Sequence, residues 1–191
     1  MELLNLGDGV GTGSVVAQSG MILTAGRNVT LNANSVILNS SSGNISIVAG
    51  MAGAGGDITM LTSPGSLSGA PEIINNASAG AINLTTGKGG ALTVASTGAT
   101  GVASSNGAIT LAADAMVLEA AINSGAATTT LEPVTPGQAI NLGGANAPGV
   151  LGLTQTELNK VSAGTIRIGN IAAGNIAITA AISNPSGAQI V

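Results

Sequence analysis

A five-residue unit recurs along the chain: Gly, a small or polar residue, an aliphatic residue, another small, polar or charged residue, and a second aliphatic residue. Within each copy the two aliphatic residues alternate with the others, which is the period of a β-strand with one buried face. The glycine supplies a bend that a residue with a Cβ would resist. The repeat therefore predicts many short strands, each preceded by a turn. Seven copies follow the pattern: Gly43–Ile47, Gly56–Met60, Gly80–Leu84, Gly90–Val94, Gly107–Leu111, Gly164–Ile168 and Gly174–Ile178.

The uneven spacing of the strands indicates how they are arranged. Between Val29 and Ile109, looser copies included, the step from one copy to the next varies from 7 to 24 residues. A parallel β-helix tolerates such variation, because insertions enter its turns and leave the stacked strands in place. A β-sandwich is disfavoured, because Asp8-Gly9 and Asn106-Gly107 are the only Asp-Gly or Asn-Gly pairs, which mark tight hairpins.

The predicted fold is all-β, a right-handed parallel β-helix with two or three strands per coil and roughly 20 residues per coil. The hand follows from the general preference of parallel strands for right-handed crossovers. These values predict nine or ten coils, stacked into a rod of about 45 Å. The residues predicted to point inward are Ile45, Ile47, Ile58, Met60, Ile82, Leu84, Leu92, Val94, Ile109, Leu111, Ile140, Leu142, Ile166, Ile168, Ile176 and Ile178.

Composition supports a narrow interior that repeats along an axis. The chain is 45% hydrophobic, yet it has no Phe, Tyr, Trp, Cys or His, and only 4 basic and 8 acidic residues. A compact globule usually buries aromatic rings, whereas small uniform aliphatic side chains suit stacked layers. Disorder is disfavoured, because disordered chains are rich in charge and poor in hydrophobic residues. We therefore expect residues 1–191 to form one continuous repeat region.

Two segments depart from the regular repeat. Residues 1–19 come before the clear copies and are expected to form an N-terminal cap or a linking coil. Residues 131–183 form a composite block with one short helix near 154–162. In that helix Thr154 and Glu157 have the spacing of a capping box, Leu158 and Val161 lie on one face, and Gly164 marks the stop.

Two stretches of the sequence resemble known bacterial surface proteins. Gly-Asn-Ile-Ser-Ile at 43–47 and Gly-Asp-Ile-Thr-Met at 56–60 resemble the coils of filamentous-haemagglutinin-like exoproteins, which are exported by two-partner secretion. Residues 131–169, with Ala139-Ile140-Asn141-Leu142 in the block, resemble a segment that recurs in giant bacterial proteins with β-strand repeats. The resemblance covers most of residues 20–183. It implies a secreted, cell-surface β-helical shaft of an adhesin, involved in adhesion, aggregation or biofilm matrix formation.

We therefore expect a structural protein and not an enzyme: a shaft or stalk segment of a large secreted bacterial surface adhesin. The alternative is a self-polymerising subunit of an extracellular filament or biofilm matrix, and a more remote one is a β-helix that binds or cleaves polysaccharide. Expected partners are further coils of the same protein, copies stacked end to end, and host or bacterial surface glycans or proteins. A signal peptide is not expected at residues 1–7, which lack a basic segment and an apolar stretch.

Two classes of partner are not expected. Nucleic acid is excluded because the net charge is −4 and the four basic residues are scattered. Membrane insertion is excluded because the chain has no apolar run of the roughly 18 residues that a spanning helix needs.

No catalytic, cofactor-binding or metal site is predicted. Polysaccharide-cleaving β-helices need clustered carboxylates, and only Asp114 and Glu119 lie close in sequence, so the acidic residues are interpreted as solvated turn charges. The segment 53–58 resembles a single glycine-aspartate calcium repeat, which binds calcium only in tandem copies. The segment 87–90 lacks the Ser or Thr that follows the lysine of a phosphate loop. Both segments are interpreted as turns.

Overall fold

The computed structural model describes residues 4–6, 14–32, 35–51, 55–61, 71–95, 100–183, 185 and 188–191. Its elements are short strands, as the five-residue unit predicts, and one helix, as the capping box of Thr154 and Glu157 predicts. The strands and helix are, in chain order, β1 (Leu4–Leu6), β2 (Ser14–Ala17), β3 (Met21–Thr24), β4 (Val29–Leu31), β5 (Val36–Asn39), β6 (Ile45–Val48), β7 (Ile58–Met60), β8 (Glu72–Asn75), β9 (Ile82–Thr85), β10 (Ala91–Val94), β11 (Thr100–Ser104), β12 (Ile109–Ala112), β13 (Ala115–Leu118), β14 (Ala121–Asn123), β15 (Thr128–Glu132), β16 (Ala139–Leu142), β17 (Val150–Leu153), α1 (Gln155–Leu158), β18 (Val161–Ser162), β19 (Thr165–Ile168), β20 (Ile176–Ile178) and β21 (Gln189–Ile190).

Successive strands enter three sheets in a fixed rotation. Sheet 1 contains β1, β4, β7, β10 and β13; sheet 2 contains β2, β5, β8, β11, β14 and β18; sheet 3 contains β3, β6, β9, β12, β15, β19 and β21. Every pairing of these strands is parallel. Three successive strands, one in each sheet, form what we call a circuit, and the first five circuits run from β1 to β15. The described fold is thus all-β, with parallel strands in stacked sheets, which is consistent with a parallel β-solenoid.

Register places equivalent side chains above one another in columns. In sheet 3, Ile45 lies opposite Ile82, and Ile82 lies opposite Ile109. All three are fully buried, because each is covered by the layers on both sides. The predicted inward residues are confirmed as buried with two exceptions, Ile176 and Ile178, which are 51% and 68% exposed. Both lie in β20, an outermost strand, so no described layer covers their far side.

The predicted circuit length was too short. Ile109 lies opposite Thr129, 20 residues later, but Thr129 lies opposite Ile166, 37 residues later. The circuits contain three strands, and most exceed 20 residues because their turns carry insertions. The seven strands of sheet 3 span about 29 Å at the usual parallel spacing, in place of the predicted 45 Å.

Residues 1–19 contribute strands to the first circuit. Leu4 of β1 lies opposite Val29, and Val15 of β2 lies opposite Ile37. Residues 1–3 and 7–13 lie outside the described part of the chain.

The block 131–183 contains a fourth sheet, in which the strand order is β17-β16-β20. Strand β17 contacts β13 of sheet 1. Strand β16 therefore lies one strand farther from sheet 1 than β17 does, although β16 comes earlier in the chain. The Asn146 amide joins the two sheets: its Nδ2 donates to the Met116 carbonyl at 2.6 Å, and its Oδ1 accepts from the Met116 N–H at 3.4 Å. The same Oδ1 accepts from the Gly152 N–H at 3.1 Å, so this side chain connects β13 to β17 as a peptide group would.

The predicted helix is present but shorter. Helix α1 has the predicted capping box, in which Glu157 accepts from the Thr154 N–H at 3.0 Å and Thr154 accepts from the Glu157 N–H at 3.3 Å. Leu158 is fully buried. Val161, predicted to lie on the same helical face, belongs to β18 and lies opposite Ile122 of β14, because pairing with sheet 2 resumes there.

A polar ladder occupies the corner between sheets 2 and 3. Asn39 and Asn75 are fully buried and lie opposite each other, and Asn39 Nδ2 donates to Asn75 Oδ1 at 3.2 Å. Asn75 Nδ2 also donates to the carbonyls of Gly43 and Ala81, both at 3.1 Å. Both amides therefore donate to the Gly43 carbonyl, and Asn75 adds a second donor to the Ala81 carbonyl, which also accepts from the Ile45 N–H at 2.9 Å.

Candidate functional site

The two carboxylates that lie close in sequence are separated by the fold. Asp114 comes immediately before β13 and Glu119 immediately after it. Five extended residues cover about 16 Å, whereas glycosidases hold their two carboxyl groups about 5–9.5 Å apart. This geometry does not support a polysaccharide-cleaving pair.

Asp114 is a buried carboxylate, so its interpretation as a solvated turn charge was wrong. Its Oδ1 accepts from the N–H groups of Val134 at 2.9 Å and Thr135 at 2.8 Å. Its Oδ2 accepts from the Gly89 N–H at 2.5 Å and from the Thr135 hydroxyl. The side chain of Gln138 donates to the Asp114 carbonyl, so five hydrogen bonds converge on this residue.

The donors to Asp114 belong to turns that precede and follow its own strand. Gly89 lies between β9 and β10, while Val134 and Thr135 lie between β15 and β16. Burial raises the pKa of Asp114, but the hydrogen bonds from Thr135, Gly89 and Val134 favour the charged form, and together they hold the pKa below its ordinary value. All the acceptor oxygens have protein donors, so the carboxylate acts as a structural tie between layers.

The two glycine-rich motifs also serve the layer structure. In the 87–90 turn, the Gly89 N–H donates to Asp114. In the 53–58 segment, of which 55–58 are described, Asp57 Oδ1 accepts from the Ala91 N–H of the next circuit at 2.8 Å. In the same way, Asn44 Oδ1 accepts from the Ala81 N–H of the next circuit at 2.9 Å. An Asn or Asp after the unit glycine therefore provides a hydrogen bond to the following layer.

One cleft of about 320 Å³ lies beside α1. It brings Glu119 together with Glu157 and Lys160, which sequence reasoning did not predict. Glu157 is already engaged in the capping box of α1. Across the described residues, no group of three or more His, Cys, Asp or Glu side chains is placed to hold a metal ion.

The C-terminal end of the stack exposes large aliphatic side chains. Ile171 is fully exposed at the tip of a turn, and Val191 is 64% exposed beside β21. These two residues, with Glu132 and Arg167, line an open cleft of about 580 Å³. Together with Ile176 and Ile178 of β20 they form what we call the C-terminal end face, a surface built from sheets 3 and 4.

The first circuit is also incompletely covered. Val15 and Leu23 are half-buried, although Ile37 and Ile47, which lie opposite them in the second circuit, are fully buried. On the outer surface of the same circuit, Ile22 is 75% exposed. Exposed aliphatic surface in the described residues is therefore concentrated at the two ends of the stack. These ends are the strongest candidate for a functional surface.

Comparison with known proteins adds no further constraint: no family model, curated protein or solved structure matches the chain. Among the described residues, no helix has the length and apolar character required to cross a membrane.

Proposed function

We propose that the chain is a shaft or stalk segment of a right-handed parallel β-helix, in a large secreted bacterial surface protein of the filamentous-haemagglutinin-like kind. The observation that carries the proposal is the pair of inward columns that run in register through sheet 3 from β3 to β19 and are aliphatic at every position except Thr129. Columns of this kind can be lengthened by adding layers, without a change in the layers already present.

The same architecture supports the proposal of a mechanical role. Each layer is held to the next by parallel backbone hydrogen bonds in all the sheets and by the stacked aliphatic side chains. Burial of one Ile or Leu contributes about 1.5–3 kcal/mol, so stability is distributed along the stack and is not held at one centre. A shaft needs this property, because a load on one end is transmitted through every layer. The partners proposed for it are further coils of the same protein and surface glycans or proteins.

A second candidate is a self-polymerising subunit of an extracellular filament or biofilm matrix. The exposed aliphatic residues at both ends of the stack favour it, because a second copy would cover them. A polysaccharide-cleaving role is not proposed, since Asp114 is enclosed by its donors and Glu119 lies at the far end of β13.

One experiment on the producing cells tests these proposals. An antibody raised against the 191-residue chain is applied to intact and to permeabilised cells, and its antigen is sized on a denaturing blot. Labelling of intact cells by an antigen much larger than 18.0 kDa supports a shaft segment. Surface filaments built from an 18.0 kDa antigen support the second candidate. Labelling that requires permeabilisation would overturn both.

A further inference from the structure

We propose that Asn106-Gly107 is a site of covalent self-modification, at which Asn106 loses its side-chain nitrogen as ammonia and becomes aspartate or isoaspartate. It is the only Asn-Gly pair in the chain. Glycine has no Cβ to shield its backbone nitrogen, so attack of that nitrogen on a preceding asparagine side chain is least hindered at this pair. The proposal goes beyond the shaft function and does not depend on it, because the reaction needs only water.

The fold retains this reactive pair because both positions are constrained. Gly107 is buried in the turn between β11 and β12, and a Cβ there would overlap the backbone of Gly80 in the preceding circuit. Asn106 has a φ of +60°, a left-handed conformation that Asn adopts more readily than most residues with a Cβ. Most substitutions at either position would therefore strain the turn.

The surroundings of the Asn106 amide leave it able to react. Its Oδ1 accepts from the Ala126 N–H of the next circuit at 3.0 Å, which draws electron density away from Cγ. No described residue accepts a hydrogen bond from the Asn106 Nδ2 or from the Gly107 N–H, so neither the leaving group nor the attacking nitrogen gives up a partner. Asn106 and Ala126 are both exposed, so water can replace their hydrogen bond when the turn opens and the Gly107 nitrogen reaches Cγ.

The modification consists of two balanced steps. The Gly107 nitrogen loses its proton to solvent and bonds to Asn106 Cγ, while the Cγ–Nδ2 bond breaks and Nδ2 takes up a proton and leaves as ammonia. Water then opens the resulting five-membered cyclic imide at one of its two carbonyl carbons. Breakage of the new Cγ–N bond leaves aspartate in a normal main chain. Breakage of the original peptide bond leaves isoaspartate, whose main chain is longer by one carbon.

The two products differ in their effect on the layers. Aspartate retains an acceptor for the Ala126 N–H and tolerates the left-handed conformation. Isoaspartate moves Gly107 away from its packing against Gly80 and shifts the start of β12, in which Ile109 lies opposite Ile82. Isoaspartate therefore loosens the joint between the third and fourth circuits, whereas aspartate leaves that joint in place.

Peptide mapping by mass spectrometry tests the site in the folded chain, which is incubated at neutral and at mildly alkaline pH. The matched control is Asn76, which is exposed in the corresponding turn of the preceding circuit, between β8 and β9, but is followed by Ala77. Asn106 should gain about one dalton at least about tenfold faster than Asn76, as a mixture of aspartate and isoaspartate, and its rate should rise with pH. Equal rates at the two sites, or aspartate without isoaspartate, would overturn the proposal.

Thermal unfolding followed by circular dichroism tests the effect on the layers. The incubated chain should contain a fraction that melts at a lower temperature, in proportion to its isoaspartate content. Freshly prepared Asn106→Asp reproduces the aspartate product and should melt within about 2 °C of the unmodified chain. An isoaspartate-containing chain that melts like the fresh one, or an Asn106→Asp variant that melts as low as the isoaspartate fraction, would contradict the assigned effect on the joint.

Discussion

Removal of the Asp114 carboxylate should destabilise the corner that joins three circuits. Asp114→Ala leaves the N–H groups of Gly89, Val134 and Thr135 without their acceptor. An unsatisfied buried donor costs about 1–3 kcal/mol, but Gly89 is exposed and the other two residues are half-buried, so water can replace part of the loss. We expect a decrease of about 3 kcal/mol in the free energy of unfolding.

Asp114→Asn provides a variant of similar shape. Its amide retains one acceptor oxygen but places an NH₂ group against a backbone N–H or the Thr135 hydroxyl. We therefore expect the free energy of unfolding to decrease by about 2 kcal/mol. The control is Glu119→Gln, an exposed carboxylate at the other end of the same strand, which should change stability by less than about 0.5 kcal/mol. The assay is urea unfolding at neutral pH, followed by far-ultraviolet circular dichroism because the chain has no aromatic residue. If Asp114→Ala is as stable as Glu119→Gln, the carboxylate is not a tie between layers.

The same tie predicts a defined pH dependence. Because hydrogen bonds lower the pKa of Asp114 in the folded chain, folding favours the charged form. The stabilisation is therefore fully present above the unfolded-state pKa of about 3.9 and is lost as the pH falls through the lower folded-state value. The stability difference between the unmodified chain and Asp114→Asn should be constant from pH 7 to about 5 and should shrink below about 4. A stability difference that instead grows on acidification would contradict the lowered pKa assigned to Asp114.

Three further substitutions test the layer structure, the first two by urea unfolding and the third by thermal unfolding. Ile109→Asp should lower the free energy of unfolding by several kcal/mol, roughly 4, because it places a charge in a fully buried column. The adjacent outward Thr110→Asp should lower it by less than about 1 kcal/mol. Equal losses would contradict the inward assignment of Ile109. Asn75→Ala should cost about 2 kcal/mol because it removes the acceptor of the buried Ala77 N–H and one donor to the Gly43 carbonyl. The exposed neighbour Asn76→Ala should be nearly neutral, and the reverse order would refute the polar ladder. Gly107→Ala should lower the melting temperature, because a Cβ there would overlap the backbone of the previous layer; an unchanged melting temperature would show that the layers can separate at that turn.

The alternation of side chains and the short strands could be predicted from the sequence because both are local properties. Two aliphatic residues that are two positions apart in a strand lie on the same face of that strand, wherever the strand is placed in the fold. Ile45, Ile82 and Ile109 accordingly lie in one buried column. The capping box of α1 was equally predictable, because Thr154 and Glu157 contact each other within one helical turn.

Features that depend on which layers meet could not be predicted in this way. Asp114 is indistinguishable in sequence from a solvated turn residue, and it is buried only because turns from three circuits converge on it. Asn39 and Asn75 are 36 residues apart, and parallel pairing alone places them opposite each other.

The sequence by itself determined the all-β character, the inward residues and the strand-and-turn alternation, since each depends on near neighbours in the chain. The tertiary structure decided how many residues separate one layer from the next, that β17 lies between β13 and β16, and that Ile176 and Ile178 lie exposed at an end. These outcomes depend on contacts between residues far apart in the chain. The same Gly-x-Ile-x-Ile pattern is buried when another layer lies above it and exposed when none does, and only the stacking order distinguishes the two cases.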